Sequence, residues 1–135
     1  MITRINHIGI VVKDLEDVLG KFEKTFGLKV ESYKTKNSIK AAFVAVGDGE
    51  IEFLQAEDDS ELMRPNEKYD FIHHFAFETD DIENEIEKMK KNGIKVVHDP
   101  PIIGLHGVKI AFISPEDLNG LHIELIECAR ARNVE

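Results

Sequence analysis

Positive charge is scarce in this chain. Its 17 lysines and arginines stand against 26 aspartates and glutamates, a formal net charge of −9 over 135 residues. That balance argues against sequence-independent nucleic-acid binding, which draws its affinity from lysine and arginine. It argues equally against docking on an anionic membrane surface. Cysteine is nearly absent, with Cys128 the only one. An internal disulfide is thereby excluded, and the usage fits a reducing cytoplasm. Cys128 itself reads as a small apolar residue near the C-terminus. No apolar run approaches the length of a membrane span. The first strand-like run starts almost at once, which leaves no room for a signal peptide. What remains is ordinary globular material, 42% hydrophobic and 32% charged. The length suits one domain with a real core.

The stretch from Phe71 to Ile82 reads as a strand running straight into a helix. Strand side chains alternate, so Phe75 and Phe77 point one way and His74, Ala76 and Glu78 the other. Asp80 or Asp81 can cap the helix that follows. That helix, Ile82 to Lys91, carries Ile82, Ile86 and Met89 at helical spacing and stops at Asn92-Gly93. A histidine on the non-aromatic face, two residues from a small alanine, suggests a side chain aimed into a cavity.

The stretch occurs twice. Ile5-Asn6-His7-Ile8-Gly9-Ile10 reads against Ile72-His73-His74-Phe75-Ala76-Phe77. Lys13 to Glu16 reads against Asp80 to Glu83, and Gly27 to Val30 against Gly93 to Val96. The spacing is 67 residues from His7 to His74 and 66 from Gly27 to Gly93, so one residue is lost within the second helix. The ends of the halves match as well. Ala42-Phe43-Val44 reads against Ala111-Phe112-Ile113, and Ile51-Glu52-Phe53-Leu54 against Ile123-Glu124-Leu125-Ile126. An internal repeat of this length says that the chain is two copies of one supersecondary unit. Each copy begins with a strand histidine and ends with a strand glutamate. Small residues, Gly9 and Ala76, sit two beyond each histidine and leave space for something bound. Two histidines and two carboxylates at equivalent positions are expected to converge as ligands of one metal ion.

The first unit, about 3–56, is expected to be βαβββ. Its helix uses Leu15, Val18, Leu19 and Phe22 and closes at Phe26-Gly27. Strands are expected at Lys29 to Lys34, Lys40 to Val46 and Glu50 to Gln55, with Gly47-Asp48-Gly49 as hairpin. Ala56 to Asp70 reads as an acidic surface linker, with one helical turn near Leu62-Met63. The second unit, about 71–128, repeats the order with strands at Ile94 to His98, Lys109 to Ile113 and Leu121 to Glu127. Its longer loops, Pro100 to Gly107 and Ser114 to Gly120, are where a substrate would be gripped. The tail from Ala129 to Glu135 reads as frayed.

These pieces together resemble the vicinal oxygen chelate superfamily, which includes glyoxalase I, extradiol dioxygenases and fosfomycin-resistance proteins. The resemblance covers nearly the whole chain. It implies an α+β fold, in which tandem βαβββ units form a half-open curled barrel around a divalent metal. The family's four ligand positions fall on His7, Glu52, His74 and Glu124. Within the superfamily the chain is similar to the methylmalonyl-CoA epimerases. The matching pieces include His7 to Ile10 with Asp14 to Glu16, His73-His74 with Asp80 to Ile82, and Gly104 to Gly107 with Ile110 to Phe112. The linker lacks those enzymes' Ser-Pro-Ile segment, Ser114 stands where a histidine is frequent, and Lys40-Ala41 stands near where some carry an extra glutamate. The resemblance further implies a homodimer.

Two imidazoles and two carboxylates leave about two octahedral positions open. Such mixed nitrogen and oxygen ligands suit cobalt, nickel, zinc or manganese. A metal there acts as a Lewis acid on an enolate formed α to a carbonyl, and a carboxylate at its edge acts as base. Three readings stand side by side. The first is an epimerase acting on an acyl-thioester, methylmalonyl-CoA. The second is a glyoxalase I acting on a methylglyoxal–thiol adduct, and the third a non-catalytic binding protein. Glu124 is the favoured base, Glu52 the alternative and Lys40 the rival. By parity His73 faces the apolar side, whereas His122 shares the face of Glu124.

Overall fold

The computed structural model describes residues 1–56 and 68–128. The expected helical turn near Leu62-Met63 and the expected frayed tail lie outside the described residues. The chain divides into two compact units, His7–His73 and a second made of Met1–Asn6 with the residues from His74 onward.

Apolar alternation and two turns build the first unit. Strand β1 (Ile2–Val11) contributes its second half and leads into helix α1 (Leu15–Phe26). Asp14 caps that helix by accepting a hydrogen bond from the Asp17 backbone N–H. Gly27 ends it with a φ of 72°, a conformation that costs glycine least. Strands β2 (Val30–Lys36), β3 (Ile39–Val46) and β4 (Gly49–Ala56) follow, in the order β2-β3-β4-β1. The hairpin at Gly47-Asp48 is the expected one, since Val46 pairs with Gly49. The β2–β3 turn is less legible, because Asn37 and Ser38 take positive φ without any glycine. Helix α1 covers a core of Leu15, Leu19, Ala42, Val44 and Phe53.

The second unit uses the same plan with an interrupted edge. Residues Ile2–Asn6 run beside strand β5 (Phe71–Thr79), and the order continues through β8 (Ile123–Glu127), β7 (Lys109–Phe112) and β6 (Ile102–Ile103). Helix α2 (Ile82–Lys91) has the expected bounds, capped by Asp81, which accepts from the Asn84 N–H. Its residues Ile82 and Ile86 pack on Val96, Ala111, Ile113, Ile123 and Leu125. The expected strand at Ile94 to His98 is absent. Only Val96 bridges to Ile113, and the two-residue β6 falls in the loop beyond. Side chains have replaced ladder partners here. The Lys95 N–H donates to a carboxylate oxygen of Asp117, and the Phe112 N–H to Nδ1 of His98. No helix among the described residues is long and apolar enough to cross a membrane.

Each helix binds its sheet through apolar packing, so truncation beneath it is expensive. Ile86→Ala should lower unfolding stability by about 2–5 kcal/mol, the scale of a buried large-to-small change. A urea titration of the variant, with unchanged slope and a lower midpoint, checks it.

Candidate functional site

Each unit carries one buried histidine facing one buried glutamate. In the first unit His7 stands on β1 and Glu52 on β4, with Nε2 3.5 Å from Oε1 and both side chains at most 7% exposed. In the second unit His74 stands on β5 and Glu124 on β8, with Nε2 3.2 Å from Oε1 and the same low exposure. All four side chains come from the strand faces turned away from the helices. Their neighbours in sequence, Phe53 and Leu125, lie on the opposite faces and belong to the buried apolar core. Period-two alternation therefore places the ligand candidates.

The surroundings repeat too. Glu52 has Gly9 as register partner on one side and Phe43 on the other. Glu124 has Ala76 as register partner on one side and Phe112 on the other. Each carboxylate is thus flanked by a small residue and a phenylalanine. The small residue leaves room above the strand on one flank, and the phenylalanine is the neighbour on the other.

The donor set fits a divalent ion. A buried carboxylate is costly unless it is paired or bound to a cation. A neutral imidazole can offer it only a single N–H. Donors on adjacent corners of an octahedron, with bonds of about 2.1 Å, lie about 3.0 Å apart. The histidine–glutamate separations of 3.5 and 3.2 Å lie close to that edge.

The remaining sequence candidates sort by position. Lys40 is exposed on β3, opposite Gln55. His73 is half-buried near the start of β5, and His122 is half-buried just before β8.

Three residues escaped the sequence reading. Phe43 and Phe112 sat in matched tripeptides, yet an apolar residue within a repeat reads as core. Glu78 was placed on the face of His74 but given no role. It is 1% exposed, accepts from the Asn6 side-chain nitrogen at 2.9 Å and lies 3.8 Å from Arg4 Nε. Its second oxygen has no hydrogen-bond partner.

A second acidic group lies at the start of α2, where oxygens of Asp81, Glu83 and Glu127 come within 4.8 Å of one another. Helix capping accounts for it. Asp81 accepts from Asn84, Glu127 from the Ile82 N–H, and Glu83 pairs with Lys109 at 2.6 Å. The Lys109 ammonium holds the Glu83 carboxyl below its ordinary value.

Comparison with known proteins places these features. The sequence profile of the Glyoxalase/Bleomycin resistance protein/Dioxygenase superfamily matches residues 6–112. An ethylmalonyl-CoA/methylmalonyl-CoA epimerase of Cereibacter sphaeroides is 31% identical over 93% of this chain and 98% of its own length. A Streptomyces coelicolor methylmalonyl-CoA epimerase variant, solved with 2-nitronate-propionyl-CoA, superposes with a TM-score of 0.84. It is 28% identical, with 96% of this chain and 99% of that one covered. The Mycobacterium tuberculosis methylmalonyl-CoA epimerase shares the fold at a TM-score of 0.88, with 22% identity over 99% of this chain and 93% of that one.

The Glu83–Lys109 pair gives a pH signature outside the ligand set. Because the folded carboxyl titrates low, its contribution to stability is present above its unfolded value. That contribution is lost as pH falls through the folded one. Carboxyl carbon NMR should show Glu83 titrating below 4.5 in the wild type. In Lys109→Met it should move back up.

Proposed function

Since the chain belongs to the Glyoxalase/Bleomycin resistance protein/Dioxygenase superfamily, we propose that it is a metal-dependent epimerase. Its substrate is an acyl-thioester, methylmalonyl-CoA, whose α-carbon it inverts by proton transfer. The observation that carries this reading is the buried histidine–glutamate pair present once in each unit. The identity to the Cereibacter epimerase, which spans nearly both chains, supports the substrate.

In this reading His7, Glu52, His74 and Glu124 hold one divalent ion, cobalt, nickel, zinc or manganese by their mixed donors. The ion, when bound, supplies Lewis-acid stabilisation of negative charge on the thioester oxygen. The chain's own part is proton transfer. The α-hydrogen is acidified by its two flanking carbonyl carbons. The Glu124 carboxylate takes it, and the electron pair of the C–H bond passes into the enolate. Return of a proton to the opposite face of that carbon inverts the centre. Each carboxylate acts once it has loosened from the ligand set: Glu52, the equivalent residue of the other unit, takes a proton from solvent and delivers it, and the two exchange roles in the reverse direction. Gly9 and Ala76 leave room beside the two carboxylates. Phe43 and Phe112 limit water there, which protects the enolate from random protonation.

The protein acts as a homodimer in the reducing cytoplasm, where Cys128 stays a thiol. The dimer follows from family analogy. A monomeric mass by light scattering at micromolar concentration removes it.

The test has two arms. Elemental analysis should find one divalent ion per wild-type chain and none in a folded His74→Ala variant. Metal-loaded wild type should exchange the α-proton of methylmalonyl-CoA with deuterium from solvent. Glu124→Gln should lose at least about 10²-fold of that rate, the scale for removing a positioned general base. Glu52→Gln should also fall, and Lys40→Ala should match wild type. A wild type that fails to exchange while isomerising a methylglyoxal–thiol adduct would replace this reading with a glyoxalase.

A further inference from the structure

We propose that His98 is a positioning residue for the second unit's ligand pair, acting through Phe112. The proposal rests on the functional reading above for its purpose but on geometry alone for its mechanism.

Phe112 lies directly against both candidate ligands of its unit. Its ring meets the His74 imidazole edge-on, with centroids 5.5 Å apart and planes at 77°. It is also the cross-strand partner of Glu124, so the two side chains share a face at close range. Wherever the Phe112 backbone goes, the contacts of both ligands go with it.

In the first unit the equivalent residue, Phe43, lies beside a long edge strand, whose register shifts between Val30 and Ser32. Strand β2 pairs along β3, with Ser32 opposite Phe43. In the second unit the edge strand β6 pairs with Lys109 and Ile110 and stops short of Phe112. Phe112 is secured instead by two consecutive residues of an irregular segment. Its carbonyl accepts from the Val97 N–H at 2.7 Å. Its N–H donates to Nδ1 of His98 at 3.0 Å. The His98 ring also packs on the Phe112 ring, with centroids 5.8 Å apart. The His98 imidazole thus grips the backbone and ring of one residue together.

This grip sets the chemical form of His98. Nδ1 must be the acceptor, so the neutral ring carries its proton on Nε2. Asparagine places a side-chain oxygen at the same distance along the chain as Nδ1. Glutamine places it one carbon further, where it matches Nε2. The pair of substitutions therefore separates the hydrogen bond from mere bulk.

The experiment follows the His74 ring protons by NMR in the metal-free chain, since the edge-on Phe112 ring sets their chemical shift. His98→Gln should move those signals, and Phe112→Leu should move them further. His98→Asn should return them to the wild-type position. Titration with cobalt alone should show His98→Gln binding about 10-fold more weakly and His98→Asn binding like wild type. That is the lower end of losses on removing outer partners of metal ligands. Unmoved His74 signals in His98→Gln or Phe112→Leu would overturn the proposal. So would His98→Asn behaving as His98→Gln does, or a lowered melting temperature as the only change. If wild type takes up no cobalt, the metal function falls, while the His74 signals still decide the positioning.

Discussion

Burying two carboxylates on strand faces is the constraint from which the rest of the structure follows. Glu52 and Glu124 are each 6% exposed, and a charge so placed is tolerated only beside a compensating group. A histidine therefore faces each of them. In each unit the strand that carries the histidine runs parallel and adjacent to the strand that carries the glutamate, β1 beside β4 and β5 beside β8. Parallel neighbours need a crossover, and the helix with its following strands supplies one in each unit. The βαβββ order meets that demand once in each unit.

Much of this was legible because the repeat multiplied weak signals. One strand histidine says little, but His7 and His74 at matched positions, each followed by a matched glutamate, single out four residues. The helix bounds were legible because Asp14, Asp81, Gly27 and Asn92 are local stop and start signals that tertiary context did not override. The fold of tandem units followed from the same matching, and the superfamily profile and structural likenesses agree with it.

What stayed hidden were places where a side chain does the work of a backbone. The segment from Ile94 to His98 has the apolar and β-branched residues of a strand, and it does run along β7. Asp117 and His98 accept the N–H groups that a ladder would have taken, and no pattern of hydrophobicity records that. The Asn37-Ser38 turn was hidden for a related reason. Positive φ is marked in sequence mainly by glycine, and serine gives no such sign. The roles of Phe43 and Phe112 were invisible because a ring that shields a polar site and a ring that fills a core are the same letter.

The division of β1 has a consequence for the order in which the protein can be made. Asn6 reaches across 72 positions to Glu78, and Thr3 across 75 to the Glu78 carbonyl. A ribosome that has released the chain as far as His73 has delivered every residue of one unit. It has also delivered six residues, Met1–Asn6, whose partners do not yet exist. During that interval the first half of β1 is an unpaired strand edge, open to other chains. Synthesis rate through the second repeat thus sets how long the nascent protein is exposed to aggregation, and contacts of such long range make closure slow.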